Sequence, residues 1–277
     1  MGYRVRPLVA AMAVAFSSTG AWQAAHAGDS GESPQVLGEV VVNANKILPV
    51  EPASTTLGAS QIVPLRPATS DTASLLRNVP GVALSGDGGV SSLPVIQGMA
   101  DDRNRINIDG MDLISACANH MNSPLSYIDP TNVESIKVYS GITPVSVGGD
   151  ASGGAIVVKS KGPRFANPGE GLLVTGEMGA FYRSNGDAHG VNATATLANE
   201  NLSITYSGST AESDNYKSAK SFKAGTTATL TKNGSHWIAG DEVASSSYKA
   251  ENHALDIALR HENHLVDLKL GYQYIPY

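Results

Sequence analysis

Residues 113–130, LISACANHMNSPLSYIDP, hold the single cysteine of the chain, Cys117, with His120 and Met121 close behind it. Thiolate and thioether are soft donors, and together they suit Cu(I) better than harder ions. On a helix the i, i+4 spacing would set Cys117 and Met121 on one face, with His120 pointing elsewhere as a weaker third ligand. A second reading stays open, in which Cys117 is a small buried apolar residue and Met121 a filler of core gaps. Catalysis with Cys117 as nucleophile and His120 as base is disfavoured, because no Asn or Asp stands at a recognisable spacing to orient the imidazole. No catalytic residue and no catalytic cofactor are expected. Met99 and Met111 are expected in core packing, His253 packed or facing lipid on an apolar strand face, and His261 and His264 solvated about a turn.

The elements around this stretch decide its compartment. MGYRVRP is followed by an apolar run from Leu8 to Phe16 and by small residues ending in Ala25-His26-Ala27, the pattern of a secretory signal peptide over 1–27. The run is well short of the ~20 residues that cross a bilayer as a helix. Cleavage removes two positive charges, Arg4 and Arg6, and takes the formal charge from −6 to −8. An acidic chain of this kind has no electrostatic case for nucleic acid. One cysteine in an exported chain excludes an internal disulfide framework.

Residues 28–56 are rich in Gly, Ser and Pro and read as a flexible arm. Within it Glu39-Val40-Val41-Val42-Asn43-Ala44 is a β-branched run able to add itself to a partner's sheet edge. An ordinary edge strand of the next domain is the alternative. From 57 to 162 the pattern is mixed. Asp71 to Arg77 predicts a short helix with Ser70 as N-cap and Pro80-Gly81 as its stop. Strands are predicted at Pro94 to Gln97, Arg105 to Asp109, Ile136 to Tyr139 and Ala155 to Lys159, between Gly-rich turns.

Beyond Gly169 two-residue alternation takes over. Val191 to Leu197 is apolar at every odd position, and Leu202, Ile204 and Tyr206 alternate with Ser203, Thr205 and Ser207. With Leu172 to Tyr182, His253 to Leu259 and Val266 to Tyr274, five strands are predicted over 170–277. Asn199 to Asn201 and His261 to Asn263 make short turns, whereas the connection from about Ser207 to Ser247 is long and polar. Short turns at one end and long loops at the other mark a transmembrane β-barrel; a soluble β-sandwich also alternates.

Three stretches in order carry a resemblance. LLRNVPGVAL (75–84), IQGMADDRNRINIDGM (96–111) and IDPTNVESIKVYSGITPVSVGGDASGGAIVVKSKG (128–162) are similar to the plug-domain signatures of TonB-dependent outer-membrane receptors. The resemblance implies an α+β plug domain followed by the first strands of an antiparallel transmembrane β-barrel in a Gram-negative outer membrane. It makes GEVVVNA (38–44) the TonB box, the strand gripped by TonB and its inner-membrane energising complex. Gln97, Ser135 and Ile142-Thr143-Pro144 depart from the family pattern, so some plug-to-barrel salt bridges are expected to be missing. Receptors of this type close about 22 strands around the plug. Five leave that barrel incomplete, and the chain is expected to be a truncated or partial transporter.

The Cys-x-x-x-Met spacing and the neighbouring NHM resemble the copper-binding stretch of the family's copper-type receptors. These complete the site with a His-x-Met pair from the barrel, which this chain lacks. The resemblance therefore implies a receptor for a scarce nutrient, with Cu(I) as cargo rather than cofactor and with outer-membrane lipid around it. A ferric siderophore, haem or cobalamin receptor is the alternative, with Tyr127 as the nearest cargo contact. An exported soluble β-rich binding protein is the second alternative.

Overall fold

The computed structural model describes residues 54–276, apart from 87, 150 and 224–237. The expected signal peptide and TonB box lie outside the described residues. The first sheet has the order β1-β6-β7-β4-β5. Its strands are β1 (Ser54–Leu57), β4 (Asn104–Ile108), β5 (Met111–Asp112), β6 (Val133–Ser140) and β7 (Gly154–Ser160). β4 and β7 run parallel and the other neighbours antiparallel. A hairpin of β2 (Val82–Ser85) and β3 (Leu93–Ile96) stands apart from this sheet. β1 begins at Ser54, so the ordered sheet reaches into the stretch read as flexible arm.

One dry core holds this unit together. Ile62, Leu75, Leu76, Ile96, Leu125, Ile136, Val138, Ile156 and Val158 are buried in a single cluster, and each such side chain contributes ~1.5–3 kcal/mol by leaving water. The predicted helix forms as a 3₁₀ segment, Thr72–Leu76. Ser70 is not its cap: its hydroxyl is taken by Arg183 and Tyr248, and Asp71 occupies the N-cap position. The segment ends earlier than the expected Pro80-Gly81 stop, at Leu76 with Arg77 as its C-cap; Gly81, at φ 79°, turns the chain into β2 in a conformation that a residue with a Cβ resists.

Five antiparallel strands follow in sequence order: β8 (Leu173–Arg183), β9 (Ala188–Ala198), β10 (Leu202–Ser213), β11 (Tyr248–His261) and β12 (His264–Tyr274). All five predicted strands are present. β9 to β10 and β11 to β12 turn tightly at one end, and the long connection between β10 and β11 leaves from the other. The alternation sorts the faces. Val174, Met178, Val191, Leu197, Leu268 and Leu270 are exposed on the outward face. Ser, Thr, Asn and Gln side chains point at the first unit. On the outward face His253 lies between Tyr206 and Tyr272, with ring centroids 6.1 Å away on each side, and its Nδ1 is 2.7 Å from the Tyr206 hydroxyl.

Candidate metal-binding loop and the plug–wall interface

The loop bearing Cys117 leaves β5 and returns at the 3₁₀ turn Pro124–Tyr127. It is not a helix. A single turn closes it, the His120 amide donating to the Cys117 carbonyl at 2.9 Å, with His120 left-handed at φ 54°. Cys117 and Met121 therefore do not share a helical face, and the i, i+4 premise is corrected. Asn119 and Asn122, on either side of His120-Met121, favour a turn over a helix because asparagine side chains compete for the backbone.

The loop is braced from inside. The Ser115 hydroxyl reaches the carbonyls of Cys117 (3.0 Å) and Asn122 (2.9 Å). The Tyr127 hydroxyl accepts from the Ala116 amide at 2.7 Å and donates to the Asn122 carbonyl at 3.3 Å. Tyr127 thus supports the loop through its hydroxyl. Cys117 is a free, half-buried thiol, and His120 Nε2 lies 4.0 Å from Asp101 Oδ1. Met121 is 51% exposed and borders a hollow of about 600 Å³ with Glu212, Asp214, Tyr248 and Lys249, at the long-connection end of the strands. Cys117 is not among the residues that line this hollow. Among the described residues no three His, Cys, Asp or Glu side chains converge on one point. Met111, expected in the core, is 58% exposed because β5 is a two-residue edge strand.

Electrostatics fix the hairpin that launches the loop. Hydrogen bonds from Arg105 and Asn107 pull the Asp112 carboxyl down to about 2. Burial works to raise the Asp109 carboxyl, but hydrogen bonds from Ser160 and Lys269 outweigh it and hold the group below the usual carboxylate range. At Asp71 burial prevails over bonds from Ser92 and Ser74, and its carboxyl is raised.

Hydrogen bonds and ion pairs join the first unit to the strand wall. Arg66 approaches Glu177 at 3.7 Å and Lys161 the same carboxylate at 3.0 Å. Lys269 joins Asp109 (3.1 Å) and the Ser160 hydroxyl (2.8 Å). Asp129 and Ser126 meet Ser209, Asn252 and Gln273. A cavity of about 670 Å³ runs along this interface, bordered by Asp109, Asp129, Lys161, Glu177, Thr196 and Lys269. None of these contacts was singled out from the sequence. Alternation marks the inward positions of each strand, but which of them lie level with one another depends on register across non-local pairs.

A small mixed domain with a dry core, seated through hydrogen bonds and ion pairs against an unclosed antiparallel wall that is polar inside and apolar outside, is a plug on the first strands of a barrel. Residues 51–155 match the TonB-dependent Receptor Plug Domain. The chain is 37% identical over 82 residues to the rhizobactin receptor of Rhizobium meliloti (strain 1021), covering 30% of this chain and 11% of that one. Among solved structures it resembles the copper transporter OprC, with a TM-score of 0.62 and 25% identity over 80% of this chain and 30% of the other. The FrpB iron transporter from Neisseria meningitidis matches at TM-score 0.56 and 19% identity, over 78% of this chain and 31% of that one. The ferric enterobactin receptor of Pseudomonas aeruginosa matches at 0.55 and 20%, over 79% and 32%. The chain thus spans about a third of the length of these structures and about a tenth of the curated relative. These relatives are named as receptors and transporters, not enzymes.

Proposed function

We propose that this chain is the plug-bearing part of a TonB-dependent outer-membrane receptor that imports a scarce nutrient, and that the nutrient is copper as Cu(I). The observation that carries the cargo is the Cys117–Met121 loop: a free thiol and an exposed thioether on a stretch held in shape by Ser115 and Tyr127. Such a loop offers two soft donors without having to order itself on binding, which lowers the entropic cost of capture. The likeness to a copper transporter at 25% identity supports the same cargo. Further ligands come from residues beyond this pair, and His120 is the local third candidate. In this reading 1–27 is a signal peptide, 38–44 is the TonB box that engages TonB, and the apolar outward face of β8–β12 meets outer-membrane lipid.

The rhizobactin receptor and the enterobactin receptor favour a second cargo, a ferric siderophore. The two readings separate in one experiment. Cells carrying the full-length gene are given labelled copper or labelled ferric siderophore, with the native receptor and with Cys117→Ala and Met121→Leu. Loss of copper uptake in both variants is the expected result. Copper uptake equal to the native level in both would refute the Cu(I) reading, and siderophore uptake in its place would establish the second.

A further inference from the structure

Asp129 is one of the plug residues that bond directly to the wall. Its Oδ1 accepts from the Thr131 amide at 2.8 Å and from the Thr131 hydroxyl, within its own 3₁₀ turn Pro130–Asn132. Its Oδ2 accepts from the Ser209 hydroxyl at 2.7 Å and from Asn252 Nδ2 at 3.1 Å. Four donors thus converge on one carboxylate, two from the plug and two from the wall. The wall donors are themselves held: Gln273 Nε2 donates to Asn252 Oδ1 at 2.7 Å and to the Ser126 carbonyl at 2.6 Å. Register explains the convergence. Ser209 pairs with Asn252 and Asn252 with Gln273 across β10, β11 and β12, so the three side chains form one level row facing inward.

The row divides two spaces. On one side lies the cavity of about 670 Å³, which Asp129 borders. On the other lies the hollow of about 600 Å³ that Met121 borders. A hollow of about 10 Å³ between them is lined by Asp129, Asn252 and Gln273. One row nearer the long-connection end, the inward residues on β10 and β11 are Ala211 and Ala250, which offer the plug no side-chain hydrogen bond. Tyr127, the brace of the Cys117 loop, lies between Ser126 and Asp129, the two plug residues that this row holds.

The geometry points to Asp129 as a positioning residue for transport: a latch that keeps the plug closed against β10–β12, whose release joins the outer hollow to the cavity beneath it. Its position next to Tyr127 puts the latch within one short turn of the loop that receives the cargo. The inference rests on the import reading, but not on which cargo is imported.

The test uses the full-length receptor with two variants. Asp129→Ala removes the acceptor but also the turn bond to Thr131. The pair Ser209→Ala with Asn252→Ala removes the wall donors and leaves the plug turn intact. Two readouts are taken without energisation or cargo: amide exchange over residues 124–133, and entry of a large glycopeptide antibiotic into cells. A hydrogen-bonded carboxylate tie of this kind holds back opening by about tenfold or more. Both variants are expected to speed exchange by about that factor and to sensitise cells. Wild-type behaviour of the wall variant would overturn the latch, even if Asp129→Ala had an effect, because loss of the turn would then explain it. Faster exchange without antibiotic entry would also overturn it, since the contact would be a structural tie and not a gate. Failure of copper uptake in the native receptor would bear on the cargo alone.

Discussion

Replacing Gly154 with alanine should loosen the plug sheet, and the size of the effect follows from the space around that residue. Gly154 opens β7 at φ +147°, a region that L side chains avoid at a cost of about 1–3 kcal/mol. An added Cβ would stand 2.2 Å from the Tyr139 carbonyl oxygen and 3.3 Å from Ile96 Cδ1, against an ordinary carbon-to-oxygen approach of about 3.3 Å. The obstacle is backbone in the paired strand β6, where Ser140 lies opposite Gly154, so no side-chain rotation relieves it. Overpacking of this kind adds about 1–3 kcal/mol. The total of about 2–6 kcal/mol is a large part of the ~5–15 kcal/mol that stabilises a typical domain. Amide exchange along β6 and β7 in the full-length receptor measures the loss directly, without interference from the stability of the wall. Gly162→Ala, where nothing lies within 4 Å of the new methyl, is the matched control. Protection in Gly154→Ala equal to that control would show that the contact yields at no cost and would refute the reasoning.

Tyr127→Phe deletes two hydrogen bonds of the Cys117 loop and should raise the dissociation constant for Cu(I) by about three- to thirtyfold; competition with a Cu(I) chelator on the purified receptor measures it, and an unchanged constant would separate the brace from binding. Lys269→Met should speed exchange of the Ser160 amide, which donates to Asp109. The Asp109 carboxyl lies below its unfolded value, so its contribution is present above the ordinary carboxylate range and is lost as the pH falls through the folded value. The gap between native and Lys269→Met protection should therefore narrow below about pH 4, and a gap that widens on acidification would contradict the assignment. Val41→Pro removes an amide from the proposed TonB box and should abolish energised uptake while leaving cargo binding at the cell surface intact. Uptake that survives would place the box elsewhere.

The wall was legible in the sequence because each strand declares its two faces locally. Val191 to Leu197 needs no partner to reveal which residues turn outward. The observed strands run further toward the long connection, with β10 reaching Ser213 and β11 starting at Tyr248, because polar residues there pair as well as apolar ones but carry no periodic signal. β2, β5 and the start of β1 were too short to read. The loop of Cys117 was found by residue type and misread in conformation, since i, i+4 spacing is shared by helices and by turns that fold back. The row of Ser209, Asn252 and Gln273 was invisible for a deeper reason: three residues spread over 65 positions of chain become neighbours only through register.

The stretch that leaves the plug, residues 161–172, is fastened to the short-turn end of the wall. The Ala166 amide donates to the Asn199 carbonyl at 3.1 Å, and the Gly169 amide to Glu200 Oε1 at 2.6 Å. Arg260 stacks over the Phe165 ring at 4.4 Å while bonding the Glu200 carbonyl. At the other end of the plug β1 is a four-residue edge strand whose only strand partner among the described residues is β6. A body pinned at its tail and weakly stitched at its head responds to tension unevenly. A load applied at the head would meet the four β1–β6 pairs before it reached the pinned tail.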